Sequence, residues 1–262
     1  MRRYLHLLRI FWANTLSTEL EYRTAFLANA ALSLFWLTWA ALGARAYFRF
    51  APSVRGWTYD ELLVVMGLFF AINGIRQAVI QPNLSRMAEY IRLGTLDYLL
   101  TKPISSQFMV SFRHMGVYNW LDPVLGVGLM GIGIARHGEP VSASAVGGFV
   151  VLGITALAVM YSLALAVQCL AVWAVGSEGL DDLIQGMVEA GRFPVQMYRG
   201  VVRGLLTFVV PVAMLTTFPV DALLGRGSTR LTALSLAVAV VLVIASSRLW
   251  RWSLRHYTGA SA

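Results

Sequence analysis

Lysine and cysteine are almost missing from this chain: Lys102 and Cys169 are the sole examples of each, and histidine occurs four times. One cysteine cannot build a disulfide framework or a thiolate-rich metal site. Lying in an apolar run, Cys169 is expected to be a packing residue. A phosphate-binding loop needs Gly-x-x-x-x-Gly-Lys-Ser/Thr, so that backbone N–H groups and a lysine can hold the phosphates. The one lysine precedes Pro103, so no such loop can be drawn in this sequence. His6, His114, His137 and His256 are scattered without metal-ligand spacing. There is no Gly-x-Ser-x-Gly elbow, and Ser177, between Gly176 and Glu178, has no histidine near it in sequence. An aspartyl enzyme would have to pair Asp122 with Asp182, which leaves enzyme chemistry disfavoured.

Charge is scarce as well. Only 13% of the 262 residues are charged and 58% are hydrophobic, with a mean hydropathy of +0.66, the profile of an all-α polytopic membrane protein. The net charge of +8 comes almost wholly from arginine. With no aromatic-and-basic RNA motif beside it, this excess implies topology and contact with anionic lipid, and no nucleic-acid partner.

Taken in order, residues 1–20 form an amphipathic interfacial helix, with Leu5, Leu8, Phe11, Trp12 and Leu16 on one side and Arg2, Arg3, His6, Arg9 and Ser17 largely on the other. Glu19, Glu21 and Arg23 follow in place of a cleavage site, so the helix is expected to be retained. Thr24–Leu42 carries no charge, and as a helix it covers about 28 Å, enough for a first span. Further spans are expected at Leu62–Ile80, Met115–Ala135 (interrupted by Asp122-Pro123), Val146–Trp173 and Leu231–Leu249. Arg76, near the end of the second, is expected to snorkel toward the cytoplasmic headgroups.

The remaining span has two readings. Hydropathy places it at Val201–Val220, although Arg203, Pro211 and Pro219 interrupt it. The other reading is a polar span, Glu178–Phe193, followed within residues 194–229 by half-helices Val195–Phe208 and Ala213–Leu224, broken at Pro211. Broken backbone at membrane depth requires cover from protein or water. Both give six crossings. With both termini cytoplasmic, twelve basic residues fall inside and six outside, in keeping with the positive-inside rule. The half-helix reading adds Arg192, Arg199 and Arg203 to the outside, so charge slightly favours the hydropathy reading.

Between the second and third spans, residues 81–107 form a polar interlude. Asn83–Leu93 has a helical pattern, with Leu84, Met87 and Ile91 on one side, and Gly94 stands where a C-terminal cap would end it. A second turn, Thr95–Leu100, stops before Pro103. Such a helix either lies on the bilayer or docks on another protein.

Ile91-Arg92-Leu93-Gly94-Thr95-Leu96-Asp97 through Lys102-Pro103 resembles the cytoplasmic loop of one bacterial branch of the type-2 ATP-binding-cassette (ABC) exporter permeases. So do Gly191-Arg192-Phe193-Pro194-Val195-Gln196-Met197-Tyr198, Leu206-Thr207-Phe208-Val209-Val210-Pro211-Val212-Ala213 and Phe218-Pro219. The resemblance implies one six-span permease domain over residues 1–262. It also implies a coupling helix between spans two and three, re-entrant half-helices before span six, and a plasma-membrane location. The partners would be a second permease subunit and a separate ATPase that binds ATP and Mg. In the coupling helix, Met87, Tyr90 and Ile91 would be apolar anchors, with Arg86, Glu89 and Arg92 on the rim. Gly94 would end the helix, and Asp97 would cap the next turn or pair with an arginine. The cargo would be an amphipathic or hydrophobic solute.

The acids of the fifth span are the second candidate group. Asp182, Gly186 and Glu189 share a helix face, with Asp181 to one side. This face either lines a path for a cationic substrate or makes a structural ion pair with Arg192, Arg76 or a partner chain. An ion-coupled secondary transporter using these acids and a non-transporting assembly component are the alternatives to an ATP-driven exporter.

Overall fold

A computed structural model describes residues 2–19, 23–170, 180–209 and 211–256. Among them the regular structure is helical. Helix α1 (Arg2–Glu19) precedes α2 (Arg23–Phe48) and α3 (Tyr59–Ile75), which passes through a π-helical turn, Arg76–Ile80, into α4 (Gln81–Leu84). Short helices α5 (Met87–Arg92), α6 (Thr95–Leu100) and α7 (Ser106–Phe112) lead to α8 (Leu121–His137) and α9 (Ala143–Leu170). Then come α10 (Leu180–Glu189), α11 (Gly200–Gly204), α12 (Thr217–Leu223) and α13 (Thr229–Arg255). Among the described residues, five helices are long and apolar enough to cross a membrane, and six if the bent pair containing α11 and α12 counts as one.

Helix α3 is the centre. Thr58 caps it with a reciprocal box: its hydroxyl accepts from the Glu61 N–H, and the Glu61 carboxylate accepts from the Thr58 N–H. Leu62, Val64, Val65 and Met66 are fully buried. One side packs on α8, where glycines let the backbones touch: a Cβ on Gly67 would lie 2.6 Å from the Gly126 carbonyl oxygen, and one on Gly133 would lie 2.7 Å from that of Asp60. Helix α9 packs against α12 and α13. Near the start of α3, Arg136 pairs with Asp60 at 2.9 Å, while Arg226 pairs with Glu61 at 3.0 Å and stacks over Trp57.

Several boundaries move, each for a local reason. Helix α2 continues past Leu42 to Phe48, so Arg45 sits on the helix; the extension is held by the Tyr59 hydroxyl donating to the Ala41 carbonyl and by Phe48 against the Tyr59 ring. Asp122-Pro123 does not interrupt a span but occupies the first turn of α8, where proline has no N–H to lose and an acid favours the helix dipole. The expected single helix Asn83–Leu93 breaks at Ser85-Arg86. There the Asn83 amide donates to the Val79 carbonyl and the Ser85 hydroxyl to the Gln81 carbonyl, side-chain bonds that compete with helix geometry.

The ambiguous region has the geometry of broken helices. Segments Gly200–Thr207 and Val212–Leu223 meet at a 62° bend around Pro211. The polar helix before them is described from Leu180 and ends with the 3-10 turn Ala190–Arg192 before Pro194. Glu178, the expected start of that span, and Trp173, the expected end of the fourth, lie outside the described residues.

Candidate functional site

The polar interlude folds as two short helices joined by a left-handed turn. Gly94 has φ +67°, a conformation that favours glycine, and its N–H donates to the Ile91 carbonyl. Leu96 and Leu99 of α6 are buried, which fixes the far side of the turn. The exposed side carries Arg86, Glu89, Arg92, Asp97 and two large apolar groups, Leu93 at 59% and Tyr98 at 63% exposure. Lys102 donates to the Tyr98 hydroxyl at 3.0 Å and lies over its ring, and this ammonium holds the phenol below its usual pKa. Met87, expected as an exposed anchor, faces inward at 1% exposure, while Tyr90 and Ile91 are half-buried. The break after Leu84 alters the helical phase, so the pattern continued from Asn83 assigns the wrong face.

A latch holds this turn to the bundle. The buried Asn83 amide donates to the His114 carbonyl at 2.7 Å, and the His114 N–H donates back to Asn83 Oδ1 at 2.7 Å. His114 Nε2 faces the Tyr90 hydroxyl at 3.0 Å and Arg86 Nη1 at 3.5 Å. Arginine can only donate, so this arrangement suits a neutral ring with Nε2 as acceptor. Burial first, then Arg86 and Arg113, lowers the His114 pKa to about 4, in agreement. Neither Asn83 nor His114 stood out in the sequence, because their partners lie far along the chain.

The second group is a chain of polar contacts from α3 to α10. Arg76, at 4% exposure, does not snorkel: its Nε donates to Asn73 Oδ1 at 3.0 Å and its Nη2 to Gln185 Oε1. Gln185 donates to Glu189 at 3.0 Å, and Arg192 pairs with Glu189 at 2.6 Å. The π turn that begins at Arg76 leaves carbonyls outside the regular ladder. Those of Gln77 and Ala78 accept from the Asn119 amide at 3.1 Å and the Gly116 N–H at 2.7 Å. Asp181 and Asp182 lie on α10, and Asp182 is exposed, apart from this chain of contacts. The sequence singled out Arg76, Glu189 and Arg192 but not Gln185, whose spacing of four from Glu189 was the available signal.

A profile of the ABC-2 family transporter proteins matches residues 34–261, which takes in all the long apolar helices but only part of α2. The chain belongs to the ABC-2 transporter family. It is thus an ABC-type permease of a membrane, and the Met87–Leu100 turn lies between α3 and α8. No curated protein and no solved structure matches this ABC-2 permease.

Proposed function

We propose that this permease is the membrane half of an exporter in a bacterial plasma membrane, with both termini cytoplasmic and an amphipathic or hydrophobic solute as cargo. It works with a second permease subunit, identical or paralogous, and with a separate ABC ATPase that binds ATP and Mg. The observation that carries this reading is the α5–Gly94–α6 turn, with Leu93 and Tyr98 exposed above a rim of Arg86, Glu89 and Arg92. Apolar anchors within a charged rim are the anatomy of a protein contact. The Asn83–His114 latch ties α4 to the segment between α7 and α8, and Tyr90 joins the turn to it through His114, so a push on the turn is passed to α4 at the end of α3. Pairing of Glu189 with Arg192 supports a structural role for that acid over ion coupling.

The test is co-purification in mild detergent with the ABC ATPase encoded beside this chain, comparing wild type with Leu93→Ala plus Tyr98→Ala. The ATPase is expected with wild type and lost with the variant, whose melting temperature stays unchanged. Absence of any ATPase with wild type overturns the reading in favour of ion-coupled transport, which Asp182→Asn and Glu189→Gln then probe.

A further inference from the structure

At the end of the bundle opposite the Met87–Leu100 turn, the last turns of α2 border a cavity of about 390 Å3. Ala44, Phe48, Leu62, Phe193, Met197 and Tyr198 line it, together with Tyr47 and Val54 at the entrance to the α2–α3 loop. The Tyr198 hydroxyl is turned away, donating to the Ala190 carbonyl at 2.9 Å, so that ring presents its apolar body to the space. A wall of this kind suits hydrocarbon. Beside it, on the adjoining side of the same helix turns, a second cleft is lined by Leu42, Arg45, Ala46 and Arg49.

These two arginines, like Arg55 and Arg230, are exposed, and what sets them apart is that they line the cleft beside the cavity. Arg136, Arg192 and Arg226 each meet a carboxylate, whereas Arg45 and Arg49 are exposed and meet none among the described residues. They stand one helical turn apart, close enough to share one anionic group. Tyr47 and Phe50 next to them are exposed at 78% and 92%, as aromatic residues at a membrane–water boundary are.

We infer that this end of α2 is a binding site for an anionic phospholipid of the surrounding leaflet, its phosphate on Arg45 and Arg49 and an acyl chain in the Ala44–Phe193 cavity. Two arginines give the head group its sign and the cavity holds the chain, so a zwitterionic lipid of equal chain length binds more weakly. The site lies away from the proposed ATPase contact and does not depend on it.

The experiment uses the permease alone, reconstituted in nanodiscs of equal parts phosphatidylcholine and phosphatidylglycerol, then released into mild detergent for native mass spectrometry of retained lipid. Wild type is expected to retain phosphatidylglycerol in preference to phosphatidylcholine. Arg45→Gln plus Arg49→Gln, both at exposed positions, lowers that preference about tenfold. Ala44→Phe fills the cavity and lowers retention without changing charge. Equal retention of the two lipids by wild type overturns the inference, as does a preference that survives the double arginine change. Crosslinking of Tyr47→Cys to a second copy, with no lipid retained, overturns it too and makes this face an interface between copies.

Discussion

Helices α2 and α3 are both long and apolar, yet α3 is buried along nearly all of its length while α2 exposes Leu27, Phe35, Trp36 and Trp39. The difference lies in small residues rather than in hydropathy. Gly67 and Gly74 lie seven apart on α3, facing Gly126 and Pro123 of α8, so the two backbones approach to contact. Gly43 of α2 has nothing within 4 Å of where its Cβ would stand. In lipid, an apolar side chain gains little by moving from hydrocarbon to protein, so close packing decides which helix is central.

The strongest way to break this comparison is one substitution in each helix. Gly67→Leu places carbon where the Gly126 carbonyl oxygen and the Met130 side chain already stand. It is expected to cost about 3 kcal/mol or to prevent folding. Gly43→Leu, which meets open space, is expected to stay within about 0.5 kcal/mol of wild type. Melting temperatures in detergent report both. Equal effects would mean that α2 is as closely packed as α3.

Much of the layout was legible because a lipid-spanning helix must be long, apolar and continuous. That placed the spans near α2, α3, α8, α9 and α13, and the glycine after Leu93 marked the turn. Where a helix stops was less legible, since a capping box at Thr58 and a ring contact at Tyr59 decide the ends of α2 and α3. The direction of a side chain was hardest. Met87 and Arg76 both turn inward, one because the helix breaks two residues before it, the other because Gln185 awaits it far along the chain. The seven-residue spacing shared by Gly67 and Gly74 on α3 and by Gly126 and Gly133 on α8 was a readable sign of the central seam.

An intermediate effect is expected where α3 reaches toward α10. Arg76→Met removes the donor to Asn73 and Gln185, leaving both amides short of a partner at a cost of about 2 kcal/mol. The loss should fall on α10: hydrogen exchange rises over residues 180–192 while the α3–α8 seam keeps its protection. Arg76→Lys keeps the charge but not the fork that reaches two partners, so it restores the protection only in part. Full rescue by lysine would show instead that the charge alone matters, as for an arginine reaching toward headgroups.

The smallest effect is expected at His114, in the segment between α7 and α8. Its pKa is held at about 4, below the ordinary 6.5, chiefly by burial and then by Arg86 and Arg113. The folded protein therefore favours the neutral ring. This contribution to stability is full above pH 6.5 and is lost as pH falls from there toward about 4, because the unfolded chain takes up the proton first. Half-exposure and solvent screening keep the loss below about 1 kcal/mol. Wild type should therefore melt slightly lower at pH 5 than at pH 7.5, by about 1 °C or a little more. His114→Gln, which cannot take up the proton, should lose most of that difference. The contrast between α2 and the α3 side of the bundle sharpens if hydrogen exchange places the acid-sensitive opening at residues 83–98 and leaves α2 unchanged. An equal acid shift in both proteins would assign the pH dependence to the carboxylates instead of the latch.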